Sequence, residues 1–258
     1  MNDTVVLTGM VLTWMPIGDY DKRITILTTT CGKITAFARG ARRPTSQLSA
    51  ATGLFAFGEF ELSEGKSAYT LHKATIRNYF RELTMDPDAA YLGMYFLEFC
   101  EFFCQENNDE KEMLKLLYQS LRALQSTAFS RRLVRSVFEL KAMTLNGEGP
   151  EVFSCLHCRK REDLRLFSVR RGGVFCPACV GKIPAFPISA SLLYTMQFII
   201  SSPVEKLYTF RLKEETEEEL AALLRHYMEH YIHHSFKSLE ILEQSSSLLD
   251  SIQSDPKQ

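Results

Sequence analysis

Apolar and polar residues repeat with two different periods along this chain, and the change comes near residue 86. Before it, short runs rich in β-branched and aromatic residues alternate with turn signals. The runs are Val5–Trp14, Arg23–Thr28, Lys33–Arg39, Phe55–Leu62 and Ser67–Ile76, and the signals include Gly18-Asp19, Cys31-Gly32 and Glu64-Gly65-Lys66. Each run reads as a strand. Five strands in about 75 residues, with no long helix between them, predict a small closed barrel of the five-stranded oligonucleotide-binding (OB) kind. After Asp86-Pro87, a helix-start signal, the period becomes 3.6. Helices are predicted over Ala90–Cys104, Glu110–Leu124, Ser130–Leu145 and Ser189–Ser201. A long helix over Glu217–Leu242 would start at a capping box of Thr216 with Glu219, its acidic run suiting the positive helix end. The expected fold class is therefore α+β. A barrel occupies 1–80, a helical bundle fills 81–150 and 184–245, a small knuckle at 151–183 is inserted into it, and a flexible polar tail closes the chain at 246–258.

Side chains alternate faces along a strand, so the third run puts Ile34, Ala36 and Ala38 on one side and Lys33, Thr35, Phe37 and Arg39 on the other. The second face is basic with a ring in its middle, which suits single-stranded nucleic acid: cations follow the phosphates and a base stacks on the ring. The alternative is that Phe37 plugs the barrel, since small barrels fill their interior with such rings. The loop Gly40-Ala41-Arg42-Arg43-Pro44-Thr45-Ser46 follows at once and adds Arg42 and Arg43 to the candidate surface.

Composition sharpens this only locally. The formal net charge is −1, so affinity for a polyanion has to come from patches and not from the global field. Arg131, Arg132 and Arg135 crowd the start of a predicted helix, where the dipole favours acids. Either a phosphate or acidic partner meets them, or they form a solvated face. No apolar run reaches the length of a membrane span, and the amino terminus lacks the basic start of a signal peptide, so a cytosolic protein with reduced thiols is expected.

In that setting Cys155-Leu156-His157-Cys158, seventeen residues, and Cys176-Pro177-Ala178-Cys179 read as a zinc site. Two Cys-x-x-Cys turns supply four thiolates, which complete a tetrahedron and leave no position for a reactive water; the zinc would be structural, one per chain. A redox pair or disulfides are the alternatives, and a single redox pair leaves two cysteines unexplained. The knuckle between the pairs is basic, with Arg159, Lys160, Arg161, Arg165, Arg170 and Arg171 against Glu162 and Asp163, and Gly172-Gly173 marks a hairpin turn. Cys31, Cys100 and Cys104 stand outside the pattern, the last two as buried packing on a helix. His226, His230 and His234 recur every four residues. With no cysteine or carboxylate to complete a metal site, they read as an exposed polar face or a partner surface.

Four stretches, Gly9-Met10-Val11-Leu12, Gly18-Asp19-Tyr20-Asp21-Lys22-Arg23, Thr30-Cys31-Gly32-Lys33 and Ala38-Arg39-Gly40-Ala41-Arg42-Arg43-Pro44, resemble the RecO family of bacterial recombination mediators. So do the cysteine pairs and His234-Ser235-Phe236-Lys237-Ser238-Leu239 near the end. Thr45 and Gln47 depart from it, standing where the family often carries further basic residues. The resemblance implies a non-enzymatic DNA repair protein that is cytoplasmic and associated with the nucleoid. It would bind single- and double-stranded DNA, anneal complementary strands, contact the acidic tail of the single-strand-binding protein and, with RecR, help to load RecA. Lys22 and Arg23 then join Lys33, Phe37, Arg39, Arg42 and Arg43 as the expected nucleic-acid-binding set, and Arg131, Arg132 and Arg135 become candidates for a partner's acidic peptide. An enzyme is disfavoured. It would need an open metal site or an activated nucleophile, and the acid pairs Asp19/Asp21 and Glu59/Glu61 are explained as turn and strand-rim residues. An RNA-binding or translation accessory module uses the same barrel physics, and only the resemblance speaks against it.

Overall fold

A computed structural model of the chain describes residues 4–253, with side chains through residue 245. It separates into two compact units, one made of the residues up to Gln125 together with those from Ser235 onward, the other of Ser126–His234.

The first unit begins with β1 (Thr4–Ile17), β2 (Asp21–Thr28) and β3 (Lys33–Ala38), continues through a four-residue helix, α1 (Leu48–Ala51), and returns in β4 (Phe57–Glu64) and β5 (Tyr69–Asn78). The strands close into a barrel in the order β1-β2-β3-β5-β4. All neighbours are antiparallel except β3 and β5, which meet in parallel through only two pairs, Ala36–Tyr69 and Phe37–Thr70. Period-two alternation fills the interior with Leu7, Val11, Ile24, Ile26, Ile34, Ala36, Phe60, Leu62 and Leu71. The five strands lie where the apolar pattern placed them.

Asp86 then caps α2 (Pro87–Phe103), its side chain accepting from the Ala89 amide, with Pro87 in the first turn where its missing N–H costs nothing. The helix buries Tyr95, Phe96 and Phe99 and is followed by α3 (Lys111–Leu124). The link after α2 grips the barrel: the Lys33 amide donates to the Gln105 carbonyl at 2.9 Å, and the Asn107 amide donates to the Cys31 carbonyl at 2.9 Å.

The second unit holds α4 (Arg131–Leu145), a three-stranded sheet in the order β7 (Gly173–Phe175), β6 (Leu166–Ser168), β8 (Phe186–Pro187), the short α5 (Pro177–Val180), and the helices α6 (Ala190–Ser201) and α7 (Glu214–Tyr231). The chain then re-enters the first unit as α8 (Lys237–Gln253).

Two expectations for the last helices are corrected. The predicted single helix is two, because the chain leaves helical geometry at Ile232 and resumes it at Lys237. The apolar stripe changes partner there: Phe236 stacks on Phe99 with ring centroids 5.6 Å apart and meets Tyr95 edge-on at 5.2 Å, while Ser238 donates to the Glu98 carboxylate at 2.7 Å. Nor do Thr216 and Glu219 form a capping box, since α7 starts earlier, after Lys213, and Thr216 lies buried inside it. Glu219 serves a neighbour instead. Its carboxylate accepts from the amide and hydroxyl of Ser189, the N-cap of α6, at 2.8 and 2.5 Å. The expected flexible tail is helical as far as Gln253, and 254–258 lie outside the described residues. Among the described residues no helix is long and apolar enough to cross a membrane.

Gly32 sits where the barrel meets the link after α2. Its φ is +62°, and a Cβ there would stand 2.0 Å from the Gln105 carbonyl oxygen. Gly32→Ala should therefore destabilise the protein by at least about 2 kcal/mol, combining left-handed strain with backbone overlap. Denaturant unfolding measures this, and an unchanged midpoint would contradict the account.

Candidate metal centre and nucleic-acid interface

The two cysteine turns are built by backbone hydrogen bonds of the knuckle. In the first, the Arg159 amide donates to the Cys155 carbonyl at 2.9 Å, and Arg159 takes a left-handed φ of 62° to close it. The second is capped by α5, with the Cys179 amide donating to the Cys176 carbonyl at 3.0 Å. Leu156 N–H to Val174 O at 3.0 Å and Val174 N–H to Glu151 O at 3.0 Å fasten the first turn to β7. As a result the four Sγ atoms of Cys155, Cys158, Cys176 and Cys179 lie within 4.8 Å of one another. Cys158 and Cys176 are 3.8 Å apart, about the edge of a tetrahedron with metal–sulfur bonds near 2.3 Å.

The first and last cysteines of the quartet are shifted in opposite directions. Burial works to raise the Cys155 thiol, but the amides of Cys158, Cys176 and His157 bring it down to about 6. Cys179 goes the other way, pushed up to about 12 by its hydrogen bonds with Cys176 and Cys158. A divalent ion held by the four thiolates would displace the protons that remain on them.

At the barrel, the expected residues separate into two groups. Ile34, Ala36 and Ala38 face the interior, and Phe37 is 36% exposed, so the ring does not plug the barrel. Cross-strand pairing sets Met15, Arg23 and Phe37 in one row of the outer face. Arg39, Arg42 and Arg43 are exposed where the chain leaves β3. Their loop is tied to the tip of the β1–β2 hairpin: the Gly40 amide donates to the Asp21 carboxylate at 2.7 Å, and the Arg42 amide to the Tyr20 carbonyl at 2.8 Å.

Lys22 and Lys33 belong to neither the row nor the loop. Lys33 lies about 20 Å along the strand from Arg39, at the far end of the face. Its ammonium donates to the Glu101 carbonyl in the last turn of α2, the negative end of that helix. Lys22 is buried, with its Nζ 4.4 Å from the centre of the Trp14 ring and 3.4 Å from the Ser49 carbonyl. Burial first, then the nearby Arg42, hold its ammonium below the ordinary lysine value. Trp14 and Tyr20 stand outside the expected nucleic-acid-binding set. Both stand exposed at the hairpin tip, Tyr20 with the Arg43 guanidinium 5.3 Å from its ring centre. The available signal was the apolar run Trp14-Met15-Pro16-Ile17 directly before a turn, where polar residues are usual.

Two of the three arginines at the start of α4 are paired with acids. Arg132 pairs with Glu218 of α7 at 3.2 Å, and Arg135 with Glu139 at 2.8 Å. Glu217 accepts from Ser130, the N-cap of α4, at 2.5 Å. The acids that helix start called for are thus supplied by the first turns of α7. His226 and His230 line an open cleft with Arg170 and Phe186. Among the described residues the cysteine quartet is grouped closely enough to hold a metal ion, and the histidines are not.

Comparison with known proteins follows the two parts of the chain. The family model described as Recombination protein O N terminal matches residues 1–80, and that described as Recombination protein O C terminal matches residues 85–240. Curated relatives named DNA repair protein RecO include those of Halalkalibacterium halodurans, 30% identical over 241 residues that span 93% of this chain and 94% of the relative. That of Acetivibrio thermocellus is 29% identical over 238 residues, 92% of this chain and 95% of the relative. That of Bacillus subtilis is 28% identical over 241 residues, 93% and 94% respectively. With both family models covering nearly all of it, its barrel and its four-cysteine knuckle, the chain belongs to the RecO family.

Proposed function

We propose that this chain is a DNA repair and recombination mediator whose barrel holds DNA by its phosphates and whose knuckle is fixed by one structural zinc ion. The observation that carries the reading is the cluster of Arg23, Arg39, Arg42, Arg43 and an exposed Phe37 at one end of an OB-type barrel, in a chain of this family. Phosphate contacts position a strand without reading it, and stacking is tolerant of base identity. A strand held this way keeps its base edges free to pair, which is the requirement for annealing a complement. In this proposal the protein works in the cytoplasm at the nucleoid, binds single- and double-stranded DNA, and acts with RecR and the tail of the single-strand-binding protein to help load RecA. It needs no catalytic group for these steps. An acidic tail arriving at Arg131, Arg132 and Arg135 would compete with Glu218 for Arg132 and with Glu139 for Arg135.

Zinc is the metal that four thiolates select most readily at this spacing, and in a closed tetrahedron it supplies folding energy, not reactivity. Protein purified without chelator should contain one zinc per chain by elemental analysis. Cys176→Ser should lose it and lower the unfolding temperature. Metal-free protein of unchanged stability would overturn the assignment.

The DNA surface is tested by removing Arg39, Arg42 and Arg43 together as alanines. Each lost phosphate contact flattens the salt dependence of single-strand binding by about 0.7 of a slope unit, so a drop of about 2 is expected. Binding and annealing should fall together for all sequences while zinc content stays the same. Lys33→Ala should leave that slope unchanged, because its ammonium serves α2. A triple variant that binds and anneals like the parent at physiological salt would move the site to the basic knuckle at Arg159–Arg171.

A further inference from the structure

The β1–β2 hairpin exposes more apolar surface than a solvated turn has reason to. Trp14, Met15, Ile17 and Tyr20 are 43%, 45%, 36% and 51% exposed within one short stretch. Alternation divides these side chains between the two faces of the hairpin, Trp14 on the side of Ile24 and Met15 on the side of Arg23 and Phe37, so the ribbon presents apolar surface on both sides. The charges on this hairpin and its neighbouring loop are mostly positive: Arg23, Arg39, Arg42 and Arg43 are exposed, against Asp19 and Asp21, and the Asp21 carboxylate accepts from the Gly40 amide. A partner that offers both flat apolar faces and negative charge fits this mixture. Unpaired nucleic acid has both, whereas a duplex hides its base faces inside the stack.

Trp14 is the only tryptophan of the chain and is held before any ligand arrives. The Lys22 ammonium lies 4.4 Å from its ring centre and is itself anchored to the Ser49 carbonyl at 3.4 Å. Ser49 belongs to α1, just past the arginine loop, so this lysine adds a further tie between the hairpin and the segment after the loop. Tyr20 repeats the arrangement, with Arg43 over its ring and the Arg42 amide on its carbonyl. A ring already fixed against a cation loses little freedom when a base stacks on the surface it leaves open.

We propose that Trp14 is a base-stacking ring that makes this barrel favour unpaired over paired DNA, and that Lys22 is the positioning residue that holds it. The inference rests on the reading that this end of the barrel binds DNA, and it adds what that reading leaves open, the discrimination between strand types. Trp14 pairs with Ile24 across the hairpin, one rung from the Met15–Arg23–Phe37 row and on the opposite face of the sheet. It is therefore a second stacking point, separate from Phe37.

The test uses the full-length protein with its native metal. Because there is one tryptophan, indole emission reports on Trp14 alone. Oligothymidine and a mixed-sequence duplex are titrated in turn, with the anisotropy of a labelled strand recording binding in parallel. Oligothymidine should quench the indole in step with binding, and the duplex should bind with little quenching. Trp14→Ala should weaken oligothymidine binding about five- to hundredfold, the range of one lost base stack, with duplex affinity within about twofold of the parent. Its salt slope should not change, since no cation is lost. Trp14→Phe should recover most of the affinity, and Lys22→Met should weaken single-strand binding and its quenching without touching the duplex. If oligothymidine binds while indole emission stays constant, the inference fails and the arginine surface stands. Equal losses for single strand and duplex in Trp14→Ala also overturn it. If neither DNA binds, the underlying reading fails with it.

Discussion

The barrel closes through its shortest seam, and the placement of the candidate DNA surface depends on that seam. β3 and β5 run parallel and share two residue pairs, so closure is achieved with little common edge. Closure gives each of the five strands two neighbours, which shortens the edge open to edge-to-edge association. Because the pairing with β5 extends no further than Phe37, the chain is released at Ala38 into a loop that has to find its hydrogen bonds elsewhere. It finds them on the β1–β2 hairpin, at Asp21, Tyr20 and Gly18. The arginines of the loop are thereby carried to the aromatic hairpin tip, and α2 is left to cover the other end of the same face through Lys33 and Glu101.

What could be read from the sequence follows the range of each signal. Strand positions and the faces of β3 depend on local alternation, and Ile34, Ala36 and Ala38 point inward as alternation requires. The start of α2 at Asp86-Pro87 is a local cap, and the cysteine quartet follows from spacing alone. The misses share one cause, since a local pattern does not name its tertiary partner. Thr216 and Glu219 satisfy the capping-box formula, yet Glu219 is drawn to Ser189 of another helix. The apolar stripe from Leu220 onward keeps its period, so nothing local showed that it would change partners between Tyr227 and Phe236. Lys33 was correctly assigned to the outer face, but period two could not reveal the helix end waiting there.

Charge is used differently in the two units. In the second, two arginines of α4 are matched with acids of the same unit. The exposed Arg132–Glu218 pair is worth little by itself, whereas Arg135 meets a Glu139 side chain only 4% exposed, where leaving the acid unpaired would be costly. Around the hairpin tip of the first unit the cations lie against rings and carbonyls, not carboxylates: Lys22 on Trp14, Arg43 on Tyr20, Arg42 on Gly18. Such contacts orient a cation without neutralising it. A chain of net charge −1 can in this way keep a local surface fit for a polyanion.

The central claim is that DNA meets the protein at this end of the barrel. Amide hydrogen exchange with and without oligothymidine addresses it directly, because it surveys every segment of the intact protein at once. Protection should rise in residues 13–23 and 37–47 and stay unchanged across 131–135 and 157–171. Protection confined to 157–171, with the hairpin and its arginine loop unaffected, would place the DNA on the knuckle and contradict the account.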